Sequence, residues 1–512
     1  MTAGSHAVRP RRCIIIASLL MAPLPSCDVE RTRGNPADGG DGPSMPGWKA
    51  SALHDDRGAS IEADGGLDAG AGSGPEGGVL PPGPALAFPG AVGFGRNATG
   101  GRDGAKLYIV SNTKTSGAGS LPWALGQPGP RIVVFKTGGL LEIGKMAVPA
   151  NTTLLFQTAP GDGFAIRGAL DVAGSNVIIR GLRLFGEADS DGTAVGLAMG
   201  NNLRNIIIDH SSIAWIRNES MSTWTGGPMS ELITVQYTAI YEGLARGPGH
   251  EACNYLGPKA CQAWEAHAMQ LCPASRMSLY RNALINTDGR APKFAGPVNR
   301  AELVNSISMQ ASTGSGKIDS ANSANPTTTG QVLIHAIKNK VKQDLLFNIL
   351  VRGSTTYGSG SQLYLEDNRT TKRTSAGQSE SSVVKYKTDA AKSLKLSSTP
   401  AFKSEIPASA IEGDISKMEQ IVLDEVGPHP RDRYLDAAIK DYKSGTRHFQ
   451  CPQGLPKLTF AAGTYPKDSD DDGLPDAWEQ KNGLDPNEKG DALIRSESGY
   501  LWIETYANSL IP

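Results

Sequence analysis

The chain carries almost no excess charge of either sign: 50 Lys and Arg stand against 51 Asp and Glu in 512 residues. Bulk charge therefore points to neither nucleic acid nor a membrane surface as partner. Long hydrophobic runs are missing too. A membrane span needs about 20 apolar residues, and the N-terminal run from Cys13 to Ala22 is shorter than that. No CxxC spacing or neighbouring histidine pair suggests zinc, and no nucleotide-binding glycine loop or nucleophilic-serine motif occurs. No long amphipathic helical pattern interrupts the chain before its C-terminal third. The length exceeds what one compact core usually needs, so a main domain with accessory segments is expected.

What is present is unevenly spread, above all the 61 glycines and 33 prolines. Residues 1–27 read as an export signal: Arg9, Arg11 and Arg12 precede the apolar core, and Leu24-Pro25-Ser26-Cys27 ends it. That ending resembles a bacterial lipoprotein box, which implies a lipid on Cys27 and a place at the cell surface; ordinary secretion is the alternative. The anchor would then be the sole membrane contact. From 28 to 86 the chain is Gly, Asp, Pro, Ala and Ser with few large apolar residues. Such a segment buries too little surface to offset its ordering entropy and reads as a disordered linker. Four cysteines remain, and an even number in an exported protein allows disulfides. Cys253 with Cys261 is the preferred pair, leaving Cys272 for Cys451, although all three connectivities stay open.

Short β-branched runs separated by Gly, Asn, Asp and Ser turns begin near Ala87 and continue to about Phe347. They include Leu107 to Val110, Arg131 to Phe135, Thr153 to Phe156, Asn176 to Arg180, Asn205 to Ile208, Leu232 to Tyr237, Met277 to Tyr280, Leu303-Val304 and Asp344 to Phe347. Recurrence every few dozen residues suggests a solenoid. Asn176, Asn205, Asn282 and Asn305 recur beside these runs, as a stacked asparagine turn requires. The fold expected over 87–462 is all-β, a right-handed single-stranded parallel β-helix. Glu366 to Ser404 reads as surface loop and Asp432 to Tyr442 as helix. In 463–512, Asp468, Asp470, Asp472, Asp476 and Glu479 occupy loop positions one, three, five, nine and twelve, with Gly473 at six. That is the oxygen spacing of an EF-hand-type Ca2+ loop; a solvated acidic tail is the alternative.

Phe88-Pro89-Gly90-Ala91-Val92-Gly93-Phe94-Gly95, Gln157 to Gly163, Ile208-Asp209-His210-Ser211-Ser212 and Arg290-Ala291-Pro292-Lys293 follow one another in the order of bacterial pectate lyase-like signatures. The chain resembles that family from about Phe88 to Asn305, more weakly to about Leu350. The resemblance implies β-elimination on pectate or a related acidic plant-type polysaccharide, by a protein expected to be monomeric. It makes Arg290 the candidate base, and Lys293 and His267 candidate substrate-binding residues. For a catalytic Ca2+ site it leaves Glu219 and, from the preceding loop, Asp191 beside Asp189. The strand region Ala194 to Met199 carries no carboxylate, and Asn218 stands where the family commonly has aspartate. A β-helix that binds carbohydrate without cleaving it is therefore the second reading. Hydrolysis needs paired carboxylates, which are not evident. Asp209 and His210, adjacent on a strand, should point to opposite faces. Trp215, Trp224, Tyr241 and Trp264 are candidates for stacking on sugar rings or for packing in turns.

Overall fold

A computed structural model describes residues 13–14, 67–68, 86–186, 195–223, 228–244, 266–311, 315–321, 330–351, 355–450 and 455–511. The signal and linker expected over 1–86 lie almost wholly outside these, as do Cys253, Cys261, Cys451, Trp224, Trp264, Asp189 and Asp191.

The apolar runs become one parallel sheet. Lys106–Val110, Arg131–Phe135, Thr152–Leu155, Val177–Arg180, Arg204–Asp209, Ser230–Gln236, Ala274–Tyr280, Val298–Val304, Val332–Ile337, Gln362–Glu366 and Lys395–Ser397 pair each with the next. Two further rows diverge from the long strand Phe164–Val172. Its first half pairs with Arg183–Phe185 and its second half with Val195–Met199. The strand bends between them at Gly168 (φ 149°), where a Cβ would lie 1.6 Å from the Ile143 carbonyl oxygen. Each full coil then gives one strand to each row. This is the right-handed parallel β-helix expected, the hand being that of parallel crossovers in general.

Inside the coils, Val133, Ile179, Ile206, Ile208, Val235 and Leu279 meet Leu170, Leu197, Met221, Phe294 and Ile318. Burying each such side chain fully contributes about 1.5–3 kcal/mol. Chain segments also cover two of the three rows from outside. Ala87, Phe88, Ala91 and Ala98 pack on Ile178 and Ile207, and Leu474, Ile503 and Tyr506 on Leu107, Ile132 and Val134. Helices Ile415–Glu425 and Arg433–Ser444 cover Phe185, Ala214, Ala239 and Ile285. Asp414 and Asp432 cap these helices, each accepting from two backbone N–H groups. Among the described residues no apolar cluster covers the outer side of the remaining row. That row holds Val195–Met199, Glu219–Ser222, His267–Leu271, Lys293–Ala295, Gly316–Asp319 and Phe347–Leu350.

The turn leaving the first sheet repeats in detail. His210, Tyr237, Arg281, Asn305, Lys338 and Asp367 all take positive φ there, between 41° and 52°. The next residue passes a side-chain oxygen to the previous coil: Thr238 N donates to Asn282 Oδ1 (2.9 Å), Ser306 N to Asn339 Oδ1 (2.9 Å) and Asn339 N to Asn368 Oδ1 (3.2 Å). Each bond contributes roughly 1 kcal/mol. Of the four asparagines expected to be equivalent, only Asn282 lies in this ladder. Asn305 precedes it by one position, and Asn176 and Asn205 sit at the start of their strands with φ of 62° and 59°.

Other expectations change as well. The stretch from Glu366 to Ser404 is not all loop, because Val384–Tyr386 and Lys395–Ser397 extend two rows. The expected helix runs from Arg433 to Ser444, and Ile415–Glu425 is a second one. Cys272 is a buried free thiol, and Cys451, its expected partner, lies outside the described residues; burial pushes the thiol up to about 12. Asp209 and His210 do meet, at 2.8 Å between Oδ1 and Nδ1, because His210 leaves the strand at φ 41°. Burial works to raise the Asp209 carboxyl, but the charges of His210 and Arg180 outweigh it and hold it below the usual range. Trp215 and Tyr241 are buried, bonded to Glu242 and Asp432, and pack under the helices rather than facing sugar.

Candidate active site

The uncovered row is built from three- to five-residue strands whose side chains alternate. Phe294, Ile318 and Ile349 are in register and in the core. Their neighbours Lys293 and Lys317 therefore stand on the outer side. In register along that side run Ser222, Gln270, Lys293, Lys317 and Asn348.

Arg290 enters from the turn before Lys293. It takes φ 47°, and its carbonyl accepts from Met269 N at 2.8 Å. That bond ties the turn to the neighbouring strand and aims the guanidinium along the row, where Nη1 pairs with Glu219 Oε1. Glu219 lies opposite His267 in the parallel register. His267 Nδ1 is 2.5 Å from the Asp288 carbonyl oxygen. Lys293 Nζ pairs with Asp319 Oδ2 at 3.1 Å, both side chains being buried. The structure thus brings Arg290, Lys293, His267 and Glu219 onto one face.

Lys317, Asp319 and Asp288 belong to the same group and were not singled out from sequence. The signal was Gly316-Lys317-Ile318-Asp319, which repeats the polar–apolar alternation of Lys293-Phe294-Ala295 one coil later. Lys317 reaches over the Arg290 turn: a Cβ placed on Gly289 would be 3.6 Å from its Nζ and 4.0 Å from His267 Nδ1. Burial, then the charge of Arg290, lower the Lys317 ammonium from its ordinary value; Asp319 works the other way.

A catalytic Ca2+ has poor support from these residues. Among the described residues, no group of three close metal-binding side chains includes Glu219, and its carboxylate is engaged by Arg290. The first strand of the row offers Val195 at the position facing Glu219. Asp191 lies outside the described residues.

The acidic C-terminal loop is different. Oxygens of Asp468, Asp470 and Asp472 form one close group, and those of Asp472, Glu479 and Asp491 a second. Asp472 and Glu479 are fully buried. Among the described residues, both Glu479 oxygens, Asp468 Oδ1, Asp470 Oδ2, Asp472 Oδ2 and Asp491 Oδ1 have no hydrogen-bond partner. Burial, then repulsion from neighbouring carboxylates, pushes Glu479 up to about 7. Burial first, with the same repulsion, pushes Asp472 up to about 8 and Asp470 up to about 6. Oxygen donors unsatisfied in this way fit a hard divalent cation. Asp476 does not join them, because it accepts from Ser469 N (2.7 Å) and Lys467 Nζ (2.6 Å). Asp491, unnoticed in the sequence because it lies beyond the helix Asp476–Asn482, supplies the further carboxylate. Gly473 (φ 89°) makes the sharp turn, and a Cβ on it would come within 3.0 Å of Val134.

A coiled platform that gathers Arg290, Lys293 and Lys317 on one face suits a polyanion, and proteins of similar sequence narrow the class. No family model matches the chain. The probable pectate lyase C of Aspergillus oryzae is 32% identical over 446 residues, covering 83% of this chain and 94% of the relative. That of Aspergillus fumigatus is 32% identical over 442 residues with the same coverage. The chain belongs to the pectate lyase family. Among solved structures, a pectate lyase from Acidovorax avenae covers 71% of this chain and 99% of its own at TM-score 0.44 and 12% identity. A pectate lyase bound to a hexasaccharide covers 66% and 96% at TM-score 0.42 and 14% identity.

Proposed function

We propose that this protein is an exported polysaccharide lyase that cleaves pectate, or a related uronic-acid polymer, by β-elimination. The observation that carries the reading is Arg290, held in a backbone-tied turn on the uncovered face with Lys293, Lys317 and His267 around it. A proton at C5 of a uronate lies beside a carboxylate and is poorly acidic while that carboxylate keeps its full charge. Cationic side chains near the carboxylate stabilise the charge that develops as the proton leaves. Arg290 is the candidate to receive that proton; the electron pair left at C5 forms a C4–C5 double bond, the bond from C4 to the leaving oxygen breaks, and that oxygen takes a proton from solvent. A guanidinium is ordinarily always protonated, so the role calls for an alkaline working pH and release of Arg290 from Glu219. That same ion pair favours the second reading, a β-helix that binds uronate polymer without cleaving it.

Asp468, Asp470, Asp472, Glu479 and Asp491 would hold Ca2+ in the tail, where it would neutralise their charge and fix the loop against the first coils. Lipidation of Cys27 completes the proposal and is tested by fatty-acid labelling of the cells that make it.

The deciding experiment incubates the mature chain with polygalacturonate and with pectin at alkaline pH, with Ca2+ or with chelator, and follows ultraviolet absorbance. Elimination creates an absorbing unsaturated product and hydrolysis does not. Rising absorbance is the expected result. A flat trace with saturable polymer binding would establish the non-cleaving reading instead.

A further inference from the structure

Among the described residues, every charged side chain around Arg290 except one has an engagement. Arg290 pairs with Glu219, Lys293 with Asp319, and His267 with the Asp288 carbonyl. Lys317 makes no ion pair or side-chain hydrogen bond among the described residues, although the strand beneath it is buried in the core. A partly desolvated ammonium has three donors to satisfy, and leaving them without an acceptor is unfavourable. Its neighbours in the row have the opposite want. Gln270, itself 4% exposed, has an unpartnered Oε1, and Asn348 an unpartnered Oδ1. Those two oxygens are shielded from solvent, so the open group on this side is the ammonium itself. An ammonium on a face that no described apolar cluster covers matches a sugar acid, whose carboxylate needs a cation.

Resting on the lyase-family reading above, we propose that Lys317 is the residue that binds a uronate carboxylate of the polymer, by side-chain charge and without a metal ion in the cleft. The donor set at Glu219 leaves that task open, because its carboxylate is matched to a guanidinium and, among the described residues, not grouped with others. Ca2+ bound by the tail loop would then stabilise the fold without touching substrate.

The test uses the full mature chain in chelator with hexagalacturonate as the probe, read by titration calorimetry and by steady-state kinetics. Lys317→Met keeps the length of the side chain and removes the charge; it should weaken binding about 30-fold and raise KM more than it lowers kcat. Lys317→Arg should restore binding to within about fivefold, since it restores the charge. The thermal midpoint of Lys317→Met without ligand should equal or exceed that of the parent, whereas a lysine needed for structure would lower it. Hexagalacturonate affinity within about twofold of the parent would overturn the proposal, and so would a parent that binds only when Ca2+ is present. The two readings fail separately. Lys317-dependent binding without unsaturated product would remove the lyase and keep this site; unsaturated product with an unchanged KM in Lys317→Met would do the reverse.

Discussion

The cleft around Arg290 and the loop around Glu479 are charged regions built on opposite terms. Among the described residues of the cleft, the Glu219 and Asp319 carboxylates each have a cation, and the charge left over is the ammonium of Lys317. In the loop the carboxylates crowd one another, Lys136 answers only Asp468 and Asp471, and several buried oxygens have no partner at all. Surplus positive charge on an uncovered face suits a polyanion. Surplus negative charge sealed against the first coils suits a small cation. The same chain, neutral in bulk, therefore separates its charge locally, and net charge was blind to both sites.

The comparison breaks most visibly at Arg290. Arg290→Ala should lower turnover on polygalacturonate by roughly 10²–10⁴-fold, the range for loss of a proton-transfer group. Because it also strands the buried Glu219 carboxylate, the variant is paired with Arg290→Ala/Glu219→Gln. The double variant should melt like the parent and remain inactive; recovered turnover would take the base role away from Arg290.

On the loop side, Glu479→Gln or Asp472→Asn in the full chain should weaken Ca2+ binding by about tenfold or more, equal to about 1.4 kcal/mol or more. Calcium at about 100 times its Kd should stabilise the parent by about 2.7 kcal/mol, seen as a rise in thermal midpoint that chelator reverses. Asp491→Asn should resemble Glu479→Gln. Asp476→Asn should leave Ca2+ affinity within about twofold, because Asp476 serves Ser469 and Lys467 instead. If Asp476→Asn proved the more damaging of the two, the loop would bind in the register read from sequence.

That register illustrates what could be read without coordinates. The spacing of Asp468, Asp470, Asp472 and Glu479 is local, and a local pattern survives into structure. Asp491 is brought in by a turn after the helix, which spacing does not encode. The β-helix shows the same division on a larger scale. Nearly every strand picked out from sequence belongs to the first sheet, because that sheet is covered on both sides. Ile206 and Ile208 face the interior and Ile207 faces the N-terminal segment, so the run is continuously apolar. Among the described residues, the candidate active face is covered on one side only. Its strands, such as Lys293–Ala295 and Gly316–Asp319, are short and half polar, and they pass for loop. Arg290, Lys293 and His267 were found through motif resemblance; Lys317 belonged to no motif and needed the parallel register to bring it beside them.

The smallest expected effect concerns what Lys317 costs the fold. Its ammonium is lowered from the ordinary 10.5, chiefly by burial and then by Arg290. Below the lowered value both folded and unfolded chains hold the proton, and the folded state bears the full penalty of the buried charge. Between the lowered value and 10.5 only the unfolded chain holds it, so the parent gains stability as pH rises through that window. Above 10.5 the penalty is gone. Lys317→Met, which never carries the charge, should therefore exceed the parent in stability by on the order of 0.5–1 kcal/mol at neutral pH, with the advantage shrinking toward alkaline pH. Denaturant melts at neutral and alkaline pH measure it directly. An advantage that grew with pH would mean that the lysine is paired in the folded protein, and the contrast between an open cation in the cleft and open carboxylates in the loop would lose its first half.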